Sequence, residues 1–176
     1  MNITSEELIE EARSRDRASF EGWLPCLFLF GSLHELAAWP EVDADDLYNT
    51  QPIYPQKDRR TPLSKRAFVL PILKRQPTFR HMITIGRTAH NDLMIPDTSV
   101  SKFHAYLGNR HGDVLLPQSL ELCDCASTNG TYVEERRLEA RVPTRVERGS
   151  NVRFGLVSMQ ILDAGLVWER LQTARR

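Results

Sequence analysis

From residue 67 onward, the chain consists of short runs in which apolar and polar positions alternate, separated by turn residues. An alternation with a period of two is typical of β-strands that bury one face. Turn signals lie between the runs, as at Asn129-Gly130 and at residues 148–151. The first run contains Pro71, which favours a strand at a sheet edge because proline has no backbone N–H to donate. The pattern predicts an all-β fold, a β-sandwich of many short strands over residues 65–163.

Both ends of the chain follow other patterns. Thr4 and Glu7 form the sequence signature of a capping box, which predicts a helix over about residues 5–19. An apolar patch over residues 23–30 comes next, and residues 47–62 contain three prolines and several charges, as extended linkers do. We therefore expect a mainly helical, acidic N-terminal extension that ends in a linker (residues 1–64), then the sandwich (65–163), then a short C-terminal helix (164–176).

The net charge of zero conceals two oppositely charged segments. Residues 1–50 hold eleven acidic and three basic residues, a balance of −8, whereas residues 51–80 hold eight basic residues and one acidic residue, a balance of +7. A basic segment of this kind can bind nucleic acid or an acidic partner. The simpler interpretation, which we favour, is that the two segments are solvated or face each other.

Several classes of protein are disfavoured by composition and motif. No apolar run approaches the length of a membrane span, and the N-terminus is acidic where a secretion signal would be basic. We therefore expect a cytoplasmic protein without membrane association. Cys123 and Cys125 alternate on one predicted strand, and buried thiols are a simpler interpretation than a disulfide. The five histidines and the Cys-x-Cys pair lack the spacing of zinc ligands, so no metal is expected.

Three short segments between the predicted strands carry residues suited to binding an anion and an extended peptide. They are Ile85-Gly86-Arg87, Ser99-Val100-Ser101-Lys102-Phe103-His104 and Ser127-Thr128-Asn129-Gly130-Thr131. An arginine can donate two parallel hydrogen bonds to a phosphate, and an asparagine amide both donates and accepts. Each segment alone is common. All three in this order, with strand-like separations, are not expected by chance.

The order Gly-Arg, Ser-x-x-His, Asn-Gly over about residues 65–163 resembles the forkhead-associated (FHA) domain, a module that recognises phosphothreonine in partner proteins. The resemblance implies a phosphopeptide site made of Arg87, Ser101, Lys102, Thr128 and Asn129, supported by Gly86, His104 and Gly130. Arg87 would be the main phosphate contact, and Asn129 would bond the peptide main chain around the phosphothreonine. His104 would hold the serine loop in place rather than act as a base or ligand. Ser99 lies in the region that helps to select the third residue after the phosphothreonine.

The sequence therefore predicts a phosphothreonine-peptide-binding module that acts in serine/threonine kinase signalling through protein–protein interaction. Its partner is a phosphothreonine-containing protein or peptide, and no cofactor is expected. A hydrolase triad of Asp97, Ser101 and His104 is the enzymatic alternative. No Gly-x-Ser-x-Gly elbow and no Gly-Lys-Ser/Thr phosphate loop occur in the sequence, so we expect no enzyme.

Two further hypotheses concern partners. Residues 57–80 are an alternative binding segment for nucleic acid or an acidic partner, although few aromatic residues on which bases could stack lie among their basic residues. Thr50-Gln51-Pro52-Ile53 places an apolar residue three positions after a threonine, a pattern that some FHA domains prefer. A kinase acting on Thr50 would let this segment bind its own site or the site of a second copy. The simpler interpretation is a linker threonine without a role.

Overall fold

Two β-sheets in the computed structural model pack against each other around one apolar core, and a helical layer covers the outer face of one sheet. The structure describes residues 5–32, 67–109 and 120–173. The six-stranded sheet has the order β2-β1-β11-β10-β7-β8, and the five-stranded sheet has the order β4-β3-β5-β6-β9. The elements are α1 (Ser5–Ser14), α2 (Arg17–Trp23), β1 (Leu27–Ser32), β2 (Ala67–Pro71), β3 (Met82–Gly86), β4 (Leu93–Met94), β5 (Ala105–Asn109), β6 (Leu120–Asp124), β7 (Thr131–Val133), β8 (Arg136–Arg137), β9 (Thr144–Arg145), β10 (Asn151–Phe154), β11 (Val157–Asp163) and α3 (Ala164–Thr173).

The alternating pattern produces the sandwich core. In β3, Ile83 and Ile85 are fully buried in that core, while Thr84 between them faces the outer side of the five-stranded sheet. Antiparallel pairing joins β3 to β5 and β5 to β6, whereas β4 runs parallel to β3. The prediction of an all-β sandwich is confirmed, and β2 with its Pro71 lies at a sheet edge as expected.

The helical layer is a second apolar core on the outside of the six-stranded sheet. Phe28 of β1, Val69 of β2 and Leu162 of β11 point outward into it and meet apolar residues of the three helices. The rings of Phe20 and Phe28 are stacked, and their centroids lie 6.5 Å apart. The indole Nε1 of Trp168 in α3 donates to the backbone carbonyl of Arg15 at 3.0 Å, which joins the last helix to the first two.

The ends of the chain differ in detail from the sequence prediction. The expected single helix over residues 5–19 is divided into α1 and α2, because the Asp16 side chain accepts from the backbone N–H of Ser19 and caps a new helix. Strand β1 precedes residue 65, the predicted start of the sandwich, yet it pairs with both β2 and β11. The helical N-terminal region and the C-terminal helix are confirmed as α1, α2 and α3. Within the described ranges, no helix combines the length and apolar character needed to cross a membrane.

Candidate functional site

Backbone and side-chain hydrogen bonds bring the three predicted segments together. The backbone N–H of Arg87 donates to the carbonyl of Ser101 at 3.0 Å. The backbone N–H of Thr128 donates to the hydroxyl Oγ of Ser101 at 3.1 Å. The Asn129 amide Nδ2 donates to the carbonyl of Ser99 at 2.8 Å. The loop after β3, the loop before β5 and the loop between β6 and β7 therefore form one surface centred on Ser101.

The first loop approaches the second so closely that only glycine fits at position 86, where the first loop begins. A Cβ atom on Gly86 would lie 2.3 Å from the carbonyl oxygen of Lys102. That carbonyl accepts a hydrogen bond from the Asn91 side chain at 2.7 Å, and the same amide donates to the carbonyl of Thr88 at 3.0 Å. Asn91 thus holds the first and second loops together, a role that its position in the sequence does not reveal.

His104 joins the second loop to the third from inside the protein. Its side chain is fully buried, and Nδ1 accepts from the backbone N–H of Ser101 at 3.0 Å. The neutral ring therefore carries its proton on Nε2, which donates to the carbonyl of Gly130 at 3.2 Å. Both ring nitrogens are occupied, and the ring edge packs on Phe154. This geometry suits a residue that supports the loops.

The buried position of His104 predicts a specific dependence of stability on pH. Burial lowers the pKa of His104, although its bond to Gly130 and the charge of Asp124 act in the opposite direction. In the unfolded chain the pKa is near 6.5. The unfolded state therefore takes up a proton first, so the full stability is present above about pH 6.5 and is lost as the pH falls through the lower folded pKa. Thermal unfolding measured between about pH 5 and pH 8 should show this loss.

A glutamine variant provides the control for this prediction. His104→Gln cannot titrate in this range, so its unfolding temperature should be lower overall but should depend less on pH below about 6.5 than that of the wild type. His81 and His90 are exposed and remain in both proteins. An unchanged pH dependence in the variant would contradict the assignment of the effect to His104.

The third loop is shaped by a buried carboxylate. Asp124 accepts from the Ser127 backbone N–H at 3.1 Å, from the Ser127 hydroxyl at 2.6 Å and from the Thr131 hydroxyl at 2.6 Å. The Ser127 hydroxyl in turn accepts from the backbone N–H of Gly130, which adopts a left-handed φ of +82°. These bonds close the turn from within and leave Thr128 exposed.

The predicted phosphopeptide-binding residues differ in how much they face solvent. Lys102 and Thr128 are exposed, and Ser101 and Asn129 are half-buried. Arg87, in contrast, is only 1% exposed, and its Nε and Nη2 atoms are buried. Burial lowers the pKa of Arg87, while the nearby charge of Asp97 raises it. A two-pronged contact between this guanidinium and a phosphate therefore requires the side chain to turn outward from the described conformation.

Ser99 does not present its hydroxyl to a ligand. The side chain is buried, its Oγ donates to the Asp97 carboxylate at 2.5 Å, and it accepts from the backbone N–H of Leu156 at 3.0 Å. Both hydrogen-bonding functions are used to fix the loop between β10 and β11. The Ser99 hydroxyl is therefore engaged within the protein, and the preference at the third residue after a phosphothreonine stays open.

Residues 83–155, from β3 to the turn after β10, match the family model of the FHA domain. This range of the chain is therefore identified as an FHA domain. FHA domains are modules of protein interaction, and the matched range holds all three loops of the site. The six-stranded sheet also includes β1, β2 and β11, which lie entirely outside the matched residues.

The chain is also similar to several solved FHA domains, all at low sequence identity. One, from a study of phosphothreonine-dependent FHA interactions, is 25% identical over 56% of this chain and 85% of its own, with a TM-score of 0.41. The FHA domain of the CT664 protein from Chlamydia trachomatis is 19% identical over 78% of this chain and 97% of its own, with a TM-score of 0.44. The yeast Dun1 FHA domain, solved with a doubly phosphorylated peptide derived from Rad53, is 19% identical over 80% of this chain and 76% of its own, with a TM-score of 0.45. No protein of curated function matches the sequence.

Proposed function

We propose that this FHA domain binds phosphothreonine-containing segments of partner proteins. The proposed binding residues are Arg87, Ser101, Lys102, Thr128 and Asn129. The observation that carries the proposal is the convergence on Ser101, which the backbone of Thr128 contacts from one loop and the backbone of Arg87 from another. A ligand bound at Ser101 therefore meets polar groups from all three loops.

The chemistry of these groups suits a phosphate monoester. Phosphothreonine carries nearly two negative charges and three strong acceptor oxygens near neutral pH. Lys102 supplies an exposed cation, and the short side chains of Ser101 and Thr128 supply hydroxyl donors. Their oxygens, Oγ of Ser101 and Oγ1 of Thr128, lie 3.5 Å apart. The guanidinium of Arg87 adds positive charge beneath them, where the low dielectric strengthens its attraction for an anion.

The proposed partner implies the biological setting. A phosphothreonine is the product of a serine/threonine kinase, so the domain would act in kinase signalling by recruiting the modified protein. Both ring nitrogens of His104 form hydrogen bonds within the protein. We therefore propose that this residue positions the loops and does not transfer protons. The domain would thus act by binding alone, without a cofactor.

Calorimetry with three matched peptides tests the proposal. A phosphothreonine peptide is first selected from an oriented array probed with the intact protein, and it is then compared with its threonine and phosphoserine versions. We expect no measurable binding of the threonine version. Phosphoserine should bind about fivefold more weakly, because it lacks a methyl group worth about 1 kcal/mol when buried. Equal binding of the phosphorylated and unphosphorylated peptides would overturn the proposal.

The alternative ligand segment over residues 57–80 is described only from residue 67 onward. In that part, the ammonium of Lys74 lies 2.6 Å from the buried carboxylate of Asp92 and so is engaged within the protein. This contact makes the segment less suited to nucleic acid than its charge suggests. Thr50 and the residues around it lie outside the described ranges, so binding of a phosphorylated Thr50 segment stays a prediction from the sequence.

A further inference from the structure

A groove opens on the outer face of the six-stranded sheet, at the border of the helical layer. Its volume is about 340 Å³, which is within the range of ligand-binding clefts. Strands β10 and β11 form its floor, and Arg170 of α3 lies at one side. None of the described residues that line this groove belongs to the three loops of the proposed phosphate site. The groove is therefore a separate surface of the domain.

The alternation of the strands gives this face its polar character. Arg153 in β10 and Gln160 in β11 each lie between two residues of the sandwich core, so both side chains point outward. The apolar layer of the helices covers the part of the same face around Phe28, Val69 and Leu162. Arg153 and Gln160 lie beyond that layer and are partly exposed. Polar groups of the sheet thus remain accessible beside the helices.

The first cation of the groove is held in a fixed orientation. The guanidinium carbon of Arg153 lies 3.6 Å from the ring centroid of Tyr132, in a cation–π contact. Its Nη1 donates to the carbonyl of Gly155 at 2.7 Å, and its Nη2 lies 3.4 Å from the carboxylate of Glu135. These bonds use two of the five N–H donors of a guanidinium. The group is therefore oriented before a ligand arrives and keeps donors for it.

The second cation comes from the helical layer. Arg170 is exposed, and its Nη2 donates to Oε1 of Gln160 at 3.3 Å. Gln160 is itself held, because its Nε2 donates to the carbonyl of Gly149 at 2.9 Å. Arg137 adds a third positive charge to this face, since it pairs with Tyr132 across β7 and β8. Planar guanidinium groups match carboxylates in shape as well as in charge.

The strand register sets the spacing between the two oriented cations. Asn151 lies opposite Gln160, and Arg153 is two residues further along β10. Diagonal neighbours of this kind have Cα atoms roughly 7–8 Å apart. In an extended ligand, side chains at alternate positions point the same way and lie about 7 Å apart. An acidic residue at every second position of such a ligand would therefore meet Arg153 and the Gln160-bound Arg170.

We propose that this groove binds an extended acidic segment of a partner protein, in which Asp or Glu occupies alternate positions. Glu135 also lines the groove, and its negative charge disfavours the continuous row of phosphates of a nucleic acid. The proposal does not depend on phosphothreonine binding. It gives the domain a second contact for a partner, on a face that the phosphate loops do not reach.

The test is an NMR titration of the intact, isotopically labelled protein with the capped peptide Ser-Asp-Ala-Asp-Ala-Asp-Ser. The peptide contains neither threonine nor phosphate, so its result is independent of the proposed phosphate site. The backbone signals of residues 151–153 and 158–160 should shift on binding. A version with Asn in place of every Asp should bind at least about tenfold more weakly. A version with the three Asp residues adjacent should also bind more weakly, because neighbouring side chains point to opposite sides.

A double variant and a matched control assign the binding to the groove. Arg153→Gln combined with Arg170→Gln should weaken binding of the alternating peptide about tenfold. Arg13→Gln combined with Arg145→Gln makes the same change in net charge at two exposed positions that do not line the groove, and it should leave the affinity unchanged. If the first double variant does not fold, Arg170→Gln alone replaces it, because Arg170 is exposed.

The other outcomes overturn the proposal. They include no shift at these residues with millimolar peptide, and a loss of affinity that is the same in the two double variants. Tighter binding of single-stranded oligothymidine at the same residues would assign the groove to nucleic acid. A peptide that binds only after Asp43, Asp45 and Asp46 are changed to Asn would show that an acidic segment of the chain itself is the occupant. A dimer that dissociates only in Arg153→Gln/Arg170→Gln would assign the groove to a second copy.

Discussion

Removing the guanidinium of Arg87 should cost the domain nearly all of its affinity for phosphothreonine peptides. Loss of one partner from a charged, desolvated contact costs about 2–5 kcal/mol, which corresponds to between about thirtyfold and about five-thousandfold in Kd. The position of Arg87 beneath the three loops places its charge where water does not screen it. Calorimetric titration of Arg87→Ala with the selected phosphothreonine peptide measures the effect directly.

The burial of Arg87 requires controls in this experiment. The alanine variant also loses the packing of a long side chain, so its unfolding temperature should fall, and titrations belong well below that temperature. Arg87→Lys keeps the charge but not the planar fork, and its affinity should lie between those of the wild type and the alanine variant. Arg136 of β8 is exposed, and Arg136→Ala should change Kd less than about twofold. Equal affinity of the wild type and Arg87→Ala would remove Arg87 from the site.

The largest loss of stability is expected from Asp92→Asn. One carboxylate oxygen of Asp92 accepts from the backbone N–H groups of Arg75 and Gln76, and the other accepts from the Lys74 ammonium and from Thr84. Burial alone would raise the pKa of Asp92, but these hydrogen bonds lower it, so the group is charged at neutral pH. Both oxygens of Asp92 accept hydrogen bonds, so an asparagine NH2 group in place of either one would point at donors and could not accept from them.

We expect Asp92→Asn to lower the free energy of unfolding by about 3–5 kcal/mol, the range found when a buried charged network loses one partner. Urea-induced unfolding of the two proteins measures this difference. Asp163→Asn is the matched control, because Asp163 is partly exposed and pairs with the exposed Arg148 at 2.7 Å. That change should cost less than about 1 kcal/mol. Similar losses in the two variants would contradict the special role of Asp92.

The sandwich was largely predictable because apolar and polar residues alternate in several of its strands. In β10 and β11 the apolar residues alternate with polar ones, as the burial of Val152 and Phe154 shows. Strand β1 escaped prediction because it lies between the sandwich core and the helical layer. Leu29 contacts the first and Phe28 the second, so neighbouring residues are both buried and no alternation remains.

The three loops were predictable as local motifs, but the directions of their side chains were not. Gly-Arg, Ser-x-x-His and Asn-Gly are local motifs, and the family pattern contains their order. Sequence does not tell which way a loop side chain points, and the burial of Arg87 and Ser99 depends on how the loops fold. In the folded loops the Ser99 hydroxyl bonds to Asp97, whose charge also acts on Arg87. The rings of Phe79 and Phe103 meet across two loops, with centroids 6.1 Å apart, and no local pattern encodes this contact.

The contacts between the first and last elements also bear on how the chain is made. The bonds from Trp168 to Arg15 and from Gln172 to Ala12 join residues 153 and 160 positions apart, and β1 pairs with β11. During synthesis, residues 27–32 can therefore pair with β11 only after most of the chain has been made. The five-stranded sheet, which is drawn from residues 82–145, has its partners much earlier. Closing the outer apolar layer is thus expected to be the late and slow step of folding, since distant contacts form last.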